Sequence, residues 1–336
     1  MDRRSFLASL PVFSQLRWLK LADEPPSVAV FQYPYLQNVR DDRATIMWST
    51  FDSGYGFLEY SEDGIDFQYA RSVRRRTFLP SHTNLTYPFT QYQAVLNGLK
   101  SNTTYWYRAS VDGESVNLGG DGFFRTAGAG PFSLLVVGDT GQATLEQFNL
   151  AARMSAESAS FLLHTGDLAY FNGTYGQYQS NYFDFYRSLM SAMPVFATPG
   201  NHDYETRDGE PYLALHSFPT EYVPVADHGR YYSFNWGNAH FVSIDSAISL
   251  TAAVNNDGSM LRWLEKDLRS TRQFWRIAIM HHPPYSTGPN ERDVNSYWVR
   301  TRVVPVLEAY GVQVKLSFVV TSTAFNAAVV FAAVRL

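Results

Sequence analysis

Three apolar runs in this chain each end in a glycine followed by a polar, metal-preferring residue, and a fourth ends in paired histidines. Phe132-Ser-Leu-Leu-Val-Val runs into Gly138-Asp139-Thr140-Gly141, and Phe161-Leu-Leu-His-Thr into Gly166-Asp167-Leu168-Ala169-Tyr170. Val195-Phe-Ala-Thr-Pro runs into Gly200-Asn201-His202-Asp203, and Trp275-Arg-Ile-Ala-Ile-Met into His281-His282-Pro283-Pro284. Short apolar runs bounded by Gly and Pro predict buried strands of a covered sheet. Helical patterns between them, such as Leu145 to Ser160, make that sheet parallel or mixed. Ligands collect beyond the carboxyl ends of such strands. Asp139, Asp167, Tyr170, Asn201, His202 and His281 are therefore expected at one edge. The glycines ahead of Asp139, Asp167 and Asn201 permit sharp turns and close backbone approach.

The chemistry of this set is restricted by what the chain lacks. It contains no cysteine, which excludes disulfides, disulfide-linked dimers, thiolate metal sites and cysteine nucleophiles. Any metal sits on oxygen and nitrogen donors, a set that suits Zn, Fe or Mn. A carboxylate between two such ions bridges them, and a paired site activates water and clamps a phosphoryl group. His202, beside Asn201, is placed to protonate a leaving group. The net charge of −4 carries no basic footprint for nucleic acid.

The chain divides into three stretches. Residues 1–24 read as an export segment: Arg3-Arg4-Ser5-Phe6-Leu7 matches the twin-arginine pattern, although Arg17 and Lys20 interrupt the apolar run behind it. Residues 25–127 read as an all-β unit, with strands at Ala44–Thr50, Tyr55–Tyr60, Tyr92–Leu96 and Thr104–Ala109 separated by turn clusters. Short strands at that spacing predict a fibronectin-like or immunoglobulin-like sandwich. Ala127-Gly-Ala-Gly-Pro131 is the linker. Residues 128–336 then form an α/β domain of mixed sheets flanked by helices, including Met260–Leu268 and Val303–Tyr310 with Gly311 as its stop.

The four motifs, in this order and on strand ends, resemble the signature of the metallophosphoesterases, the calcineurin-like phosphoesterase superfamily. Tyr170, three residues after Asp167, and the amino-terminal β unit are similar to the purple acid phosphatase branch. The resemblance covers about Pro25 to Lys315. It implies a first ion, ferric in typical members, on Asp139, Asp167 and Tyr170. Asp167 then bridges to a second, divalent ion (Zn, Fe or Mn) on Asn201 and His281. His202 is the implied general acid and phosphate contact, with His282 and Tyr285 near the substrate. The implied reaction is hydrolysis of a small phosphate monoester by metal-activated hydroxide; a phosphodiesterase on the same scaffold is the alternative.

The family's fifth motif, Gly-His-X-His, has no counterpart, because His282 is the last histidine of the sequence. Residues from about 315 onward, rich in small and β-branched types, depart from the family's pattern. A shifted reading frame that truncates the normal carboxyl terminus is one explanation; a degenerate member with an impaired site is another. The impaired case leaves a non-enzymatic homologue that binds phosphate or one metal weakly. A membrane anchor over Leu316–Val334 is disfavoured by its Ser, Thr and Asn, so no stable membrane insertion is expected.

Bland readings stand beside these. Gly-Asp pairs commonly form turns, Tyr170 is one of twenty-two tyrosines and suits an ordinary packed aromatic, and His202 suits a helix cap or the core. His164, His228 and His240 are read as structural, and Asp245 as a turn or supporting group.

Overall fold

A computed structural model describes residues 28–70, 72–247, 257–286, 293–317 and 332–335. The export segment read at 1–24 lies outside them, as do residues 318–331.

Among the described residues the amino-terminal unit is all β apart from the short helix Pro80–Thr83. Its strands are Val30–Gln37 (β1), Arg43–Thr50 (β2), Gly56–Ser61 (β3), Gln68–Tyr69 (β4), Val73–Phe78 (β5), Phe89–Asn97 (β6), Thr104–Val111 (β7), Glu114–Ser115 (β8) and Gly122–Arg125 (β9). They form two antiparallel sheets, β1-β2-β6-β5 and β4-β3-β7-β8, with β9 also on β7. Aromatic and β-branched residues fill the space between them, with Trp48 and Tyr92 from one sheet and Leu58 and Tyr107 from the other fully buried. Gly56 makes the close approach possible: a Cβ there would stand 2.4 Å from the Tyr92 ring.

The second unit carries the strand ends that the sequence singles out. Ser133–Val137 (β10), Phe161–His164 (β11) and Val195–Ala197 (β12) are parallel neighbours. A second sheet contains Tyr232–Trp236 (β13), Ala239–Ile244 (β14), Trp275–Met280 (β15) and Val314–Leu316 (β16), in that order. Only the β13–β14 pair in it is antiparallel. Ala332–Arg335 (β17) closes the first sheet antiparallel to β10, so the end of the stretch considered as an anchor is a paired strand.

The two sheets face each other across Phe161, Phe196, Phe234 and Phe241, whose rings are stacked or edge-on. Such pairs add to the burial of large apolar surface. At the carboxyl ends the sheets are tied together by Thr198 Oγ1 donating to the Ile244 carbonyl at 2.8 Å.

Two helix boundaries follow from local chemistry. The helix expected over Leu145–Ser160 runs only to Ala156, because Glu157 turns extended and the Ser160 N–H bonds the Ser133 carbonyl at the sheet edge. It starts where Thr144 caps the Gln147 N–H. The helix Val304–Ala309 stops as expected at Gly311 (φ 66°), where the Val312 N–H returns to the Leu307 carbonyl.

The units are bonded to each other. Tyr35 donates to the Leu215 carbonyl at 2.8 Å, Tyr107 to the Ser191 carbonyl at 2.7 Å, and Gln93 to Ser217 at 3.0 Å.

Candidate metal centre

The backbone turns sharply after β10 and β11, and at both turns the aspartate takes the left-handed conformation: φ is 55° at Asp139 and 56° at Asp167. Aspartate tolerates that region better than most residues. Gly166 precedes with φ 107°, and a Cβ there would lie 2.7 Å from His281 Nδ1. Gly200 is equally confined, since its Cβ would meet Asp167 Oδ1 at 2.2 Å. The glycines thus let three strand ends meet with no side chain between them.

Tyr170 and His281 meet at one atom, Asp167 Oδ2. Tyr170 Oη lies 2.8 Å from both Asp139 Oδ1 and Asp167 Oδ2. His281 Nε2 lies 3.4 Å from the same Asp167 Oδ2 and 3.2 Å from Asn201 Oδ1. Asp139, Asp167 and His281 are buried and offer ligand atoms within 4.8 Å of one another. Two triads result, Asp139–Tyr170–Asp167 and Asp167–Asn201–His281, with Asp167 Oδ2 common to both.

Proton counting shows that this set fits cations. Tyr170 has one proton and two carboxylate neighbours, so one short O···O contact has none. His281 Nδ1 donates to the Thr165 carbonyl at 3.0 Å, which turns the lone pair of neutral Nε2 toward two oxygen acceptors. Electron pairs converge, and a hard cation is what relieves them. The protonation shifts point the same way. Burial raises the Tyr170 phenol, and the Asp167 and Asp139 charges raise it further. Burial opposes protonation of His281, but the Asp167 and Asp139 carboxylates outweigh it and the net shift is upward. A positive charge at Nε2 is therefore favoured, as a proton or as a metal.

His202 sits beside this centre without joining it. Its N–H donates to Asp167 Oδ1 at 3.0 Å, and its ring Nδ1 donates to the Phe171 carbonyl at 2.6 Å. That bond leaves Nε2 as the nitrogen able to exchange a proton. The ring lies 4.5 Å from that of Tyr170 and is only partly buried.

The two residues read as lying near the substrate part company. Tyr285 is 66% exposed, with the Arg300 guanidinium 5.9 Å from its ring. His282 is buried: Asn295 donates to its Nε2 at 3.2 Å and its Nδ1 faces Ser246 Oγ at 2.9 Å. Burial, with the nearby His281 charge, pushes its pKa down to about 2. His282 therefore supports β15 in this structure and presents neither ring nitrogen to solvent.

His164 meets Thr140 Oγ1, His228 the Val223 carbonyl, and His240 both Asn235 and Asp267, as structural histidines do. Asp245, read as a turn or supporting group, is fully buried and accepts from Tyr204 and from the Ala247 N–H.

Asp203 is the residue whose role the motifs left unassigned. It accepts the N–H groups of Asp167 (2.9 Å), Gly200 (2.9 Å) and Leu168 (3.1 Å), and the Tyr178 hydroxyl (2.6 Å). Burial, reinforced by the Asp167 charge, raises its pKa to about 6. The sequence carried a signal for it, an acid three residues after a glycine at a helix start, which is the capping position.

Residues 132–317 match the family model described as calcineurin-like phosphoesterase. Purple acid phosphatase 21 of Arabidopsis thaliana is 26% identical over 206 residues, covering 59% of this chain and 44% of that protein. Purple acid phosphatase 15 of the same plant is 27% identical over 226 residues, 57% of this chain and 41% of its own length. The chain thus spans less than half the length of these curated relatives. Among solved structures, the purple acid phosphatase PPD1 from yellow lupin seeds superposes with a TM-score of 0.69 at 17% identity, covering 86% of this chain and 58% of that one. A structure of PhoD gives 0.61 at 14% identity, covering 88% of this chain and 72% of its own. Both show a shared fold.

Proposed function

The chain belongs to the calcineurin-like phosphoesterase family, and from that premise we propose that it is a metal-dependent hydrolase of small phosphate monoesters. The observation that carries this reading is the meeting of Tyr170 and His281, one from each donor triad, at Asp167 Oδ2, with the His202 backbone N–H bonded to the other oxygen of the same carboxylate.

The family implies a dinuclear metal centre. Asp139, Asp167 and Tyr170 would hold one ion, which we read as ferric, and Asp167, Asn201 and His281 a divalent Zn, Fe or Mn. Such a pair, when bound, supplies Lewis acidity and lowers the pKa of water.

The chain's own residues supply the rest. Tyr170 and Asp139 gather negative charge at one side, while His281, locked by Thr165 into one tautomer, offers Nε2 at the other. His202 holds a proton at Nε2 for the departing ester oxygen, its ring oriented by the Phe171 carbonyl. Tyr285, exposed beside Arg300, is read as a substrate contact. His282 acts at one remove, by keeping the His281 end of β15 in place.

The residues at 25–127 are read as a fibronectin-like domain and those at 128–336 as the catalytic domain. Export by a twin-arginine segment at 1–24 completes the reading; among the described residues no helix is long and apolar enough to cross a membrane.

The test is turnover of 4-nitrophenyl phosphate against bis(4-nitrophenyl) phosphate by the metal-loaded protein. Preference for the monoester is expected. Preference for the diester would move the assignment to a phosphodiesterase, and no turnover of either would overturn it.

A further inference from the structure

The segment after the His202 turn is strained and tied on every side. Arg207, Asp208 and Gly209 are successive residues of positive φ, at 49°, 56° and 79°. Two of them are not glycine, so contacts must hold them there. Thr206 Oγ1 donates to the Asn172 carbonyl at 2.5 Å. Asp208 pairs with Arg230 at 2.6 Å, and that guanidinium lies 5.1 Å from the centre of the Tyr204 ring. Arg207 reaches out of the catalytic unit altogether. Its guanidinium donates to the backbone carbonyls of His82 and Ser81, in the short helix Pro80–Thr83 of the amino-terminal β unit.

The other flank of His202 leans on the same unit. The Phe171 carbonyl that orients its ring is followed by Gly173, where a Cβ would stand 2.7 Å from the His202 carbonyl. Tyr175 comes next. Its ring lies 5.5 Å from Phe78, the last residue of β5, and its hydroxyl donates to Glu210 at 2.6 Å. Both arms around His202 therefore run to β5 and the helix that follows it.

We propose that the amino-terminal β unit is a working part of the active site, and that Arg207, anchored on the Ser81 and His82 carbonyls, is a positioning residue for His202. This rests on the reading of His202 as general acid. The guanidinium is suited to the task because its planar fork takes two carbonyls at once, which a single ammonium does less well. Removing it frees the 206–209 segment from the β unit, and the acid loses its aim while the metal donors stay in place.

The test compares phenyl phosphate with 4-nitrophenyl phosphate, whose better leaving group needs less protonation. His202→Ala should lose about a hundredfold in kcat on phenyl phosphate and far less on the nitro ester. Arg207→Asn, which tolerates the positive φ, should lose about tenfold on phenyl phosphate and about twofold on the nitro ester. Arg207→Lys should recover part of that loss. Amide exchange at His202 should quicken in Arg207→Asn, a readout that needs no turnover and decides the matter if a variant is inactive. A loss equal on both substrates, or unchanged kinetics with unchanged exchange, overturns the positioning role while His202 keeps its own. A His202→Ala enzyme with no leaving-group dependence instead removes the general acid, and the proposal with it.

Discussion

Asp203 accepts the backbone N–H of Asp167 at 2.9 Å, so a residue that offers the metal nothing sets the backbone of the one that offers it most. Its two oxygens serve four donors, and an amide in either orientation would turn an N–H toward one or more of them. Asp203→Asn should weaken metal binding about 10- to 100-fold and destabilise the fold by about 2–3 kcal/mol. Calorimetric metal titration and thermal unfolding check this. Affinity equal to the parent's would show that the bonds to Asp203 do not position Asp167.

Tyr170→Phe keeps a ring that packs 4.5 Å from His202 and removes only the hydroxyl between two carboxylates. The variant should fold and, loaded with ferric ion, lack the visible tyrosinate band of the parent. A band that survives would place the chromophore elsewhere.

The architecture of the centre was legible because glycine and a short polar residue at a strand end constrain the backbone and the chemistry together. Asp139, Asp167 and Asn201 were found that way, and the structure gathers them with Tyr170 and His281. His281 was read as a donor and His282 as its neighbour near the substrate; the structure instead bonds His282 to Ser246 and Asn295, contacts that no motif marks. The Arg207 contact joins residues more than a hundred positions apart through backbone carbonyls, and carbonyls leave no mark in a sequence. The helix stop at Gly311 was legible because glycine takes the left-handed cap; the end at Ala156 was not, because sheet pairing ends that helix.

Buried groups make stability depend on pH below neutrality in two opposing directions. Burial lowers His164 to about 3, His216 to about 4 and His282 to about 2. Each folded value lies below the ordinary histidine value, so their contribution is complete above about pH 6.5 and is lost as pH falls below it. For His216 that is about 3 kcal/mol by pH 4. Asp245 has the opposite sign: burial raises it from the ordinary 3.8 to about 7 against the partial relief given by Tyr204 and Arg230, so its contribution is complete below about pH 4 and is lost between there and pH 7. Urea unfolding of the metal-free protein from pH 4 to 8 should show a pH dependence confined to the range below 7. His216→Phe should remove part of the rise in stability with pH and Asp245→Asn part of the opposing fall; a pH dependence unchanged by both would contradict this assignment.

His282 and Tyr285 should respond in different measurements. His282→Ala leaves Asn295 and Ser246 with a buried gap and should lower unfolding stability by about 2–4 kcal/mol. Tyr285→Ala, at an exposed ring, should leave stability within about 0.5 kcal/mol and raise KM severalfold. A KM change confined to the His282 variant would reverse the two roles.

The central claim is that two donor triads share Asp167 Oδ2. Metal content per chain, measured by elemental analysis of the loaded parent and of Asp167→Asn, tests it most directly. Two ions in the parent, with both lost or sharply weakened in the variant and turnover abolished, is the result expected. One ion or none in the parent, or a variant that keeps two ions and its activity, would contradict it.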